Sequence, residues 1–195
     1  MKQLLIIFYR NPELGKVKSR LAVAVGEERA LALYLVMAAH TRKVAISIPA
    51  NKVVYYSTFI DAEDNWPNSD FLKRLQQGDD LGEKMRRAFE DSFNSGYQSV
   101  CIIGTDSLEL TEEILVNAFD VLNQHDAVIG PAADGGYYLL GMNRFIPELF
   151  LNKKWSTDSV CNDTIHDLQK LNYTYQLLPT IRDVDNENDL PSNLR

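Results

Sequence analysis

The residues best placed to do chemistry lie in an acidic segment, Gly104 to Thr111 (GTDSLELT), which follows the apolar run SVCIIG and precedes a stretch of helical character. In an open α/β sheet the ligand crevice lies outside the carboxyl ends of the strands. A carboxylate there, Asp106, can meet a divalent metal bound to phosphate. The plainer alternative is a loop acid beside a helix start, with Ser107 or Thr111 supplying the cap. Glu109 has the same double meaning, because an acid at that point also complements the positive end of the following helix. A second acidic segment, RDVDNENDL from Arg182 to Leu190, could close the same site from the far end of the chain. Its Asp183 and Asp185 would otherwise be solvated surface.

Cations stand near the other end. GKVKSR puts Lys16, Lys18 and Arg20 between the first apolar run and the first helical stretch. With the free N–H groups of a helix N-terminus, such cations can hold a di- or triphosphate. No P-loop glycine spacing accompanies them, so a solvated charged turn is the alternative. ADGGYYLLG offers Asp134 beside Gly135 and Gly136, which permit close backbone approach to a ligand or a positive φ. A tight turn with Asp134 as a turn residue explains the same letters. Trp155 could stack on a base or sugar, or staple the core ahead of a helix. His40, His125 and His166 share no spacing, and no catalytic role is assigned to them.

These groups must be positioned by the elements between them. Leu4 to Phe8 is a continuous apolar run, as expected of a central strand covered on both faces. From Gly15 an Ala- and Leu-rich segment has helical spacing, interrupted or capped at Gly26. Lys52 to Thr58 predicts a second strand, and Phe71 to Leu75 a third. Leu81, Met85, Ala88, Phe89 and Phe93 define one face of a helix that Gly96 can terminate. Ser99 to Ile103 is then a strand, and Thr111 caps a helix carrying Glu112 and Glu113 in its first turn. Asp126 to Pro131 and Gly135 to Met142 predict two strands. The segment WSTDSVCNDTIHDLQKL predicts a helix capped by Ser156 or Thr157, and Tyr173 to Leu178 a last strand.

Strands alternating with helices argue for an α/β three-layer sandwich around a mainly parallel sheet. The step from DAVIGP to GYYLLGM is too short for a crossover helix, so one of those strands should run antiparallel. At 195 residues the chain suits a single domain, 1–195, and no repeat or linker divides it. The net charge of −7 argues against a nucleic-acid-binding surface and leaves phosphate recognition to a few local cations. Cys101 and Cys161 give neither metal spacing nor a disulfide framework and read as reduced core thiols. The apolar N-terminal run is too short for a membrane helix and lacks a cleavage site, so a cytoplasmic location without membrane partners is expected.

Taken in order, FYRNPELGKVKSRLA, QGDDLGEKM, IGTDSLELT, GPAADGGYYLLGM, WST and DVDNENDL resemble the bacterial family known as GT-A-type glycosyltransferases, or radical-SAM/selenodomain-associated transferases. More remotely the chain is similar to the molybdenum cofactor and phospholactate guanylyltransferases. The resemblance spans roughly Leu4 to Leu190. It implies the nucleotide-diphospho-sugar transferase fold, Rossmann-like, with a seven-stranded mixed sheet and one antiparallel strand. It implies a transferase using a nucleotide-activated donor, most simply a nucleotide-sugar, with Mg2+ or Mn2+ as cofactor and an acceptor of unspecified identity. A nucleotidyltransferase that releases pyrophosphate, or a nucleotide-binding protein without turnover, are the alternatives, and a homo-oligomer is compatible with any of them.

By motif, the resemblance implies that Arg10, Lys16, Lys18 and Arg20 contact phosphates and that Asp80, Leu81, Gly82 and Glu83 lie by the nucleotide. Asp106 and Asp185 would hold the metal. Asp106 and Asp134 would act in catalysis, with Gly135, Gly136, Tyr137 and Trp155 on the acceptor or sugar side. Two motifs depart from the family. KTR is KSR here, which keeps a hydroxyl. SDCPDLT is TDSLELT, which loses the proline and puts Glu109 where an aspartate stands. The glycine-rich LxAGxGxRM loop of typical nucleotidyltransferases is absent.

Overall fold

The computed structural model describes residues 2–194. Seven strands form one sheet: β1 (Gln3–Tyr9), β2 (Asn51–Tyr56), β3 (Leu72–Leu75), β4 (Ser99–Ile103), β5 (Ala127–Pro131), β6 (Tyr137–Met142) and β7 (Tyr175–Leu177). Five helices join them: α1 (Ser19–Val25), α2 (Glu27–Ser47), α3 (Leu81–Asn94), α4 (Glu112–Val121) and α5 (Val160–Lys170). The strand order is β3-β2-β1-β4-β6-β5-β7. All neighbours are parallel except β6, which is antiparallel to both β4 and β5. The expected reversed strand is therefore β6, entered by the short turn at Gly135.

Alternation along β1 shows why the sheet is covered twice. Leu5, Ile7 and Tyr9 pack with Leu21, Leu33, Met37 and Leu115 from α1, α2 and α4. Leu4 and Ile6 face the other way, onto Met85, Ala88 and Phe89 of α3 and Leu168 of α5. Each fully buried aliphatic side chain contributes on the order of 1.5–3 kcal/mol, so the two cores fix the level of every strand end. Register then places the carboxyl ends of β1, β2, β3 and β4 side by side, with the β5–β6 turn beside them.

One local expectation holds and one needs adjustment. Gly26 separates α1 from α2 at φ 85°, where its N–H still closes the first helix on the Ala22 carbonyl. The last helix begins later than WST suggests, at Val160, and neither Ser156 nor Thr157 caps it. The Thr157 hydroxyl is bonded to the Lys154 carbonyl, and Ser156 is held at φ 61° in a turn. The residues between Trp155 and α5 therefore form an exposed loop beside the strand ends. Cys101 and Cys161 are buried and unpaired. Among the described residues no helix is long and apolar enough to cross a membrane.

Candidate active site

A crevice of about 810 Å³ lies over the carboxyl ends of the strands, reaching from Ser57 and Gln76 after β2 and β3, past Arg10 and Asp106, to Asp134 and Asp158. Loop-to-loop hydrogen bonds hold its floor. The Tyr34 hydroxyl, on α2, donates to the Arg10 carbonyl at 2.7 Å and accepts from the Arg10 N–H at 3.1 Å. It also lies 3.2 Å from the Thr105 hydroxyl. One buried phenol thus ties the loop after β1 to the loop after β4. Asn11, also buried, binds Ser57, Thr58 and Phe59 and ties the β1 loop to the β2 loop.

At the centre stands Lys18. Its ammonium lies 2.8 Å from Asp106 Oδ1 and 3.2 Å from Asp185 Oδ1. Laid end to end, those contacts of 2.8 and 3.2 Å keep the two oxygens within about 6 Å of each other. The two acids, one after β4 and one near the end of the chain, therefore converge on the Lys18 ammonium. Lys18 takes the left-handed conformation, φ 48°, as the residue before α1. That conformation costs a non-glycine residue roughly 1–2 kcal/mol, and the ion pairs hold the side chain in it. Its side chain is only 7% exposed, against 47% for Asp106 and 37% for Asp185. Burial pulls the lysine pKa down, but Asp106 and Asp185 outweigh burial and hold it above the ordinary value.

The acidic tail is fastened to the loop after β4, although Arg182 and Asn186 to Asn188 stay exposed. Ser107 Oγ donates to the Arg182 carbonyl, the Arg182 N–H donates to Glu109, and the Val184 N–H donates to the Asp106 carbonyl. Glu109 thus anchors the tail. Asp185 and Asn186 are set in turn by their N–H groups, both bonded to Asp189. The pinning carries Asp183 into the crevice, a residue that sequence reasoning leaves beside Asp185 without a role. Burial raises its pKa to about 7, and neighbouring Asp106 adds to this. Lys18 partly offsets the rise, while Asp134 and Asp185 reinforce it.

The other sequence candidates divide. Arg10, Lys18, Arg20, Leu81, Asp106, Asp134, Gly136, Tyr137, Trp155 and Asp185 all border the crevice. Lys16 does not: its ammonium pairs with Glu13 at 2.7 Å on the surface. Asp80 caps α3 by accepting from the Glu83 N–H, and Glu83 accepts from the Asp79 N–H and pairs with Arg87. Gly82 acts through contact. A Cβ there would lie 2.0 Å from Trp155 Nε1, so the missing side chain lets the indole settle on α3. Trp155 also stacks on Phe150 and is at once wall and staple. Gly135, at φ 91°, could not carry a Cβ without meeting the Asp158 carbonyl at 2.1 Å. It holds the Asp134 turn against the loop before α5.

Lys84 is the cation that sequence reasoning misses. It lies one turn into α3, facing the crevice. Arg20 lies 3.6 Å from Asp185, whereas Arg10 and Lys84 form no ion pair among the described residues. A signal exists in the sequence: Lys84 comes after the acids of QGDDLGEKM, at the helix spacing that sets it beside Leu81.

The arrangement suits a hard divalent cation. Asp106 and Asp185 already share one cation, the Lys18 ammonium, and offer oxygen donors only. No group of three or more His, Cys, Asp or Glu side chains capable of holding a metal occurs among the described residues. Two carboxylates completed by phosphate and water oxygens are the usual set for Mg2+, which rarely occupies an all-protein cage.

A seven-stranded sheet with one reversed strand and a crevice over its strand ends is the architecture of the nucleotide-diphospho-sugar transferase superfamily. A protein of Desulfovibrio desulfuricans G20, provisionally named a nucleotide-diphospho-sugar transferase, superimposes with a TM-score of 0.88 at 32% identity, covering 95% of this chain and 83% of that one. The chain belongs to the family described as "Uncharacterized protein conserved in bacteria (DUF2064)", which matches residues 27–157. The fold extends to remoter proteins. The inositol-1-phosphate CTP transferase of T. maritima has a TM-score of 0.54 at 10% identity, over 100% of this chain and 93% of that one. CMP:2-keto-3-deoxy-manno-octonic acid synthetase, complexed with CTP, has a TM-score of 0.55 at 9% identity, over 96% and 95%. No curated protein matches the sequence.

Proposed function

We propose that the protein is a transferase acting on a nucleotide-activated donor, with a nucleotide-sugar as the donor and a divalent ion as cofactor. The observation that carries this is the convergence of Asp106 and Asp185 on one cation, over strand ends, in a crevice large enough for such a ligand. The diphosphate would lie along Arg10, Arg20 and Lys84, whose charges aim at the leaving group. Asp106 and Asp185 would hold Mg2+ or Mn2+, which when bound offsets charge on a departing diphosphate.

In the transfer, an acceptor hydroxyl oxygen bonds to the anomeric carbon as the bond from that carbon to the phosphate oxygen breaks. The electron pair leaves with the nucleoside diphosphate, and the hydroxyl proton passes to Asp134 or to water. Asp134 is aimed by the Gly136 N–H, which donates to its Oδ1 at 2.9 Å, and the Asp158 backbone supports the turn from behind.

A thermal-shift panel of nucleoside triphosphates and nucleotide-sugars, each with and without Mg2+ or Mn2+, tests the reading. Ligand at a hundred times its dissociation constant adds about 2.7 kcal/mol, which should raise Tm by roughly 5–10 °C for a chain of this length. No shift with any nucleotide plus metal would defeat the proposal. Release of pyrophosphate from a triphosphate would replace it with nucleotidyl transfer, and binding without any product would leave a binding protein.

The cations supply a sharper expectation. Lys84→Ala should lose a charge-assisted phosphate contact of about 1.5–3 kcal/mol, a roughly ten- to hundredfold weaker nucleotide Kd by titration calorimetry. Lys16→Ala, removing a surface partner of Glu13, should change nothing. Equal losses in both variants would mean general electrostatic attraction and no phosphate grip at Lys84.

A further inference from the structure

The charges in the crevice are sorted by wall. Its bordering cations, Arg10, Lys18, Arg20 and Lys84, all come from the β1 loop, α1 and α3. The wall built by the β5–β6 turn and the loop before α5 carries Asp134 and Asp158 and no bordering Lys or Arg, whereas the tail lies against the cations, its Asp185 paired with Lys18 and Arg20. The basic residues nearest in sequence are turned elsewhere: Lys153 is buried on Asp167 at 2.8 Å, and Lys154 and Arg182 do not border the crevice. A divalent ion would be held by Asp106 and Asp185, so it leaves Asp134 and Asp158 as they are. The Asp158 carboxylate forms no ion pair among the described residues, and Asp134 has only the Gly136 N–H. Between them the same wall presents Trp155, Ser156 and Thr157, an aromatic face beside two hydroxyls.

Resting on the reading of the crevice as a nucleotide-donor site, we propose that the acceptor is a hydroxylated molecule carrying no phosphate or carboxylate, and that an amino group on it is favoured. The cationic wall takes the anionic donor. A second anion beside it would face two exposed carboxylates, Asp134 and Asp158, that have no ion-pair partner among the described residues, and like charges set side by side select against a wrong partner. Hydroxyls can donate to Asp134 and Asp158, an ammonium gains Coulombic attraction from both, and the Trp155 face accommodates the C–H side of a ring.

The test uses matched sets on hexose, pentose and cyclitol scaffolds, each in neutral, amino and phosphorylated form. Binding is measured calorimetrically, on the protein alone and on the protein saturated with the nucleotide and ion that raise its Tm most. Within a set the amino form should bind best and the phosphorylated form at least about tenfold more weakly. Asp158→Lys should bring the phosphorylated form to within about threefold of the amino form, while the nucleotide shift, made by the cations of the β1 loop, α1 and α3, persists. Phosphorylated forms that bind as well as amino forms would overturn the proposal, as would failure of every neutral and amino form to bind. The nucleotide shift is read separately, so its absence would instead remove the donor site on which the proposal rests.

Discussion

Asp106→Asn is expected to abolish the metal-dependent part of nucleotide stabilisation while leaving the metal-free protein about as stable as before. A carboxamide keeps the size of the side chain and an oxygen that can accept from Lys18, but it is a poor ligand for a hard cation. The backbone contribution is untouched, because the Val184 N–H donates to the residue's carbonyl and not to its side chain. The Asp106 side chain is nearly half exposed, so its pairing with Lys18 is screened and worth under about 1 kcal/mol to the fold. Against this, the ligand-dependent gain of about 2.7 kcal/mol should vanish, erasing the Tm rise of roughly 5–10 °C. Asp185→Asn should act in the same direction and more weakly where water fills the position. Melting curves with nucleotide, with and without Mg2+, decide it. A full metal-dependent shift in Asp106→Asn would remove Asp106 from the metal site.

Much of this site is legible in the letters, and the parts that are not share a cause. Asp106 is legible because a buried apolar strand fixes where the next few residues emerge, at the strand's carboxyl end. The reversal of β6 is legible because a link of about six residues cannot hold a crossover helix. The tail is ambiguous, since an acidic segment gains meaning only from what it is fastened to, here Ser107, Glu109 and the Asp106 carbonyl. For Lys18 the sequence indicates the right loop but a phosphate as partner, while its ammonium lies buried between two carboxylates. Sequence spacing orders residues along the chain and does not say which of two neighbours in a turn points inward. Lys16 and Lys18 show this directly, one on Glu13 at the surface and the other at the centre of the site. Motif resemblance puts Asp80 and Glu83 near the nucleotide, and the structure finds both engaged in the start of α3. Their effect on the crevice is to set where Leu81 and Lys84 stand.

Asp183→Asn is expected to stabilise the metal-free protein at neutral and alkaline pH, by more than a surface change could. Burial first, then Asp106, and to a smaller extent Asp134 and Asp185, raise the Asp183 carboxyl from 3.8 to about 7, with Lys18 opposing. An acid whose pKa is higher folded than unfolded holds its proton better in the native state. Its contribution is therefore intact below about pH 4 and is lost as pH climbs through about 7, after which it stays lost. A displacement of that size corresponds to at most about 4 kcal/mol, at 1.36 kcal/mol for each pH unit. Asn has no charge to desolvate, so the variant should gain up to that amount over the parent at pH 8 and converge with it near pH 4. Urea unfolding across that range, in chelator, measures the difference. Bound Mg2+ should narrow it, because a cation on Asp106 and Asp185 favours the ionised form of the acid beside them. A difference that does not vary with pH, or an Asp183→Asn protein less stable than the parent at pH 8, would show that the Asp183 carboxylate is stabilised where it stands, Lys18 outweighing burial and the neighbouring acids.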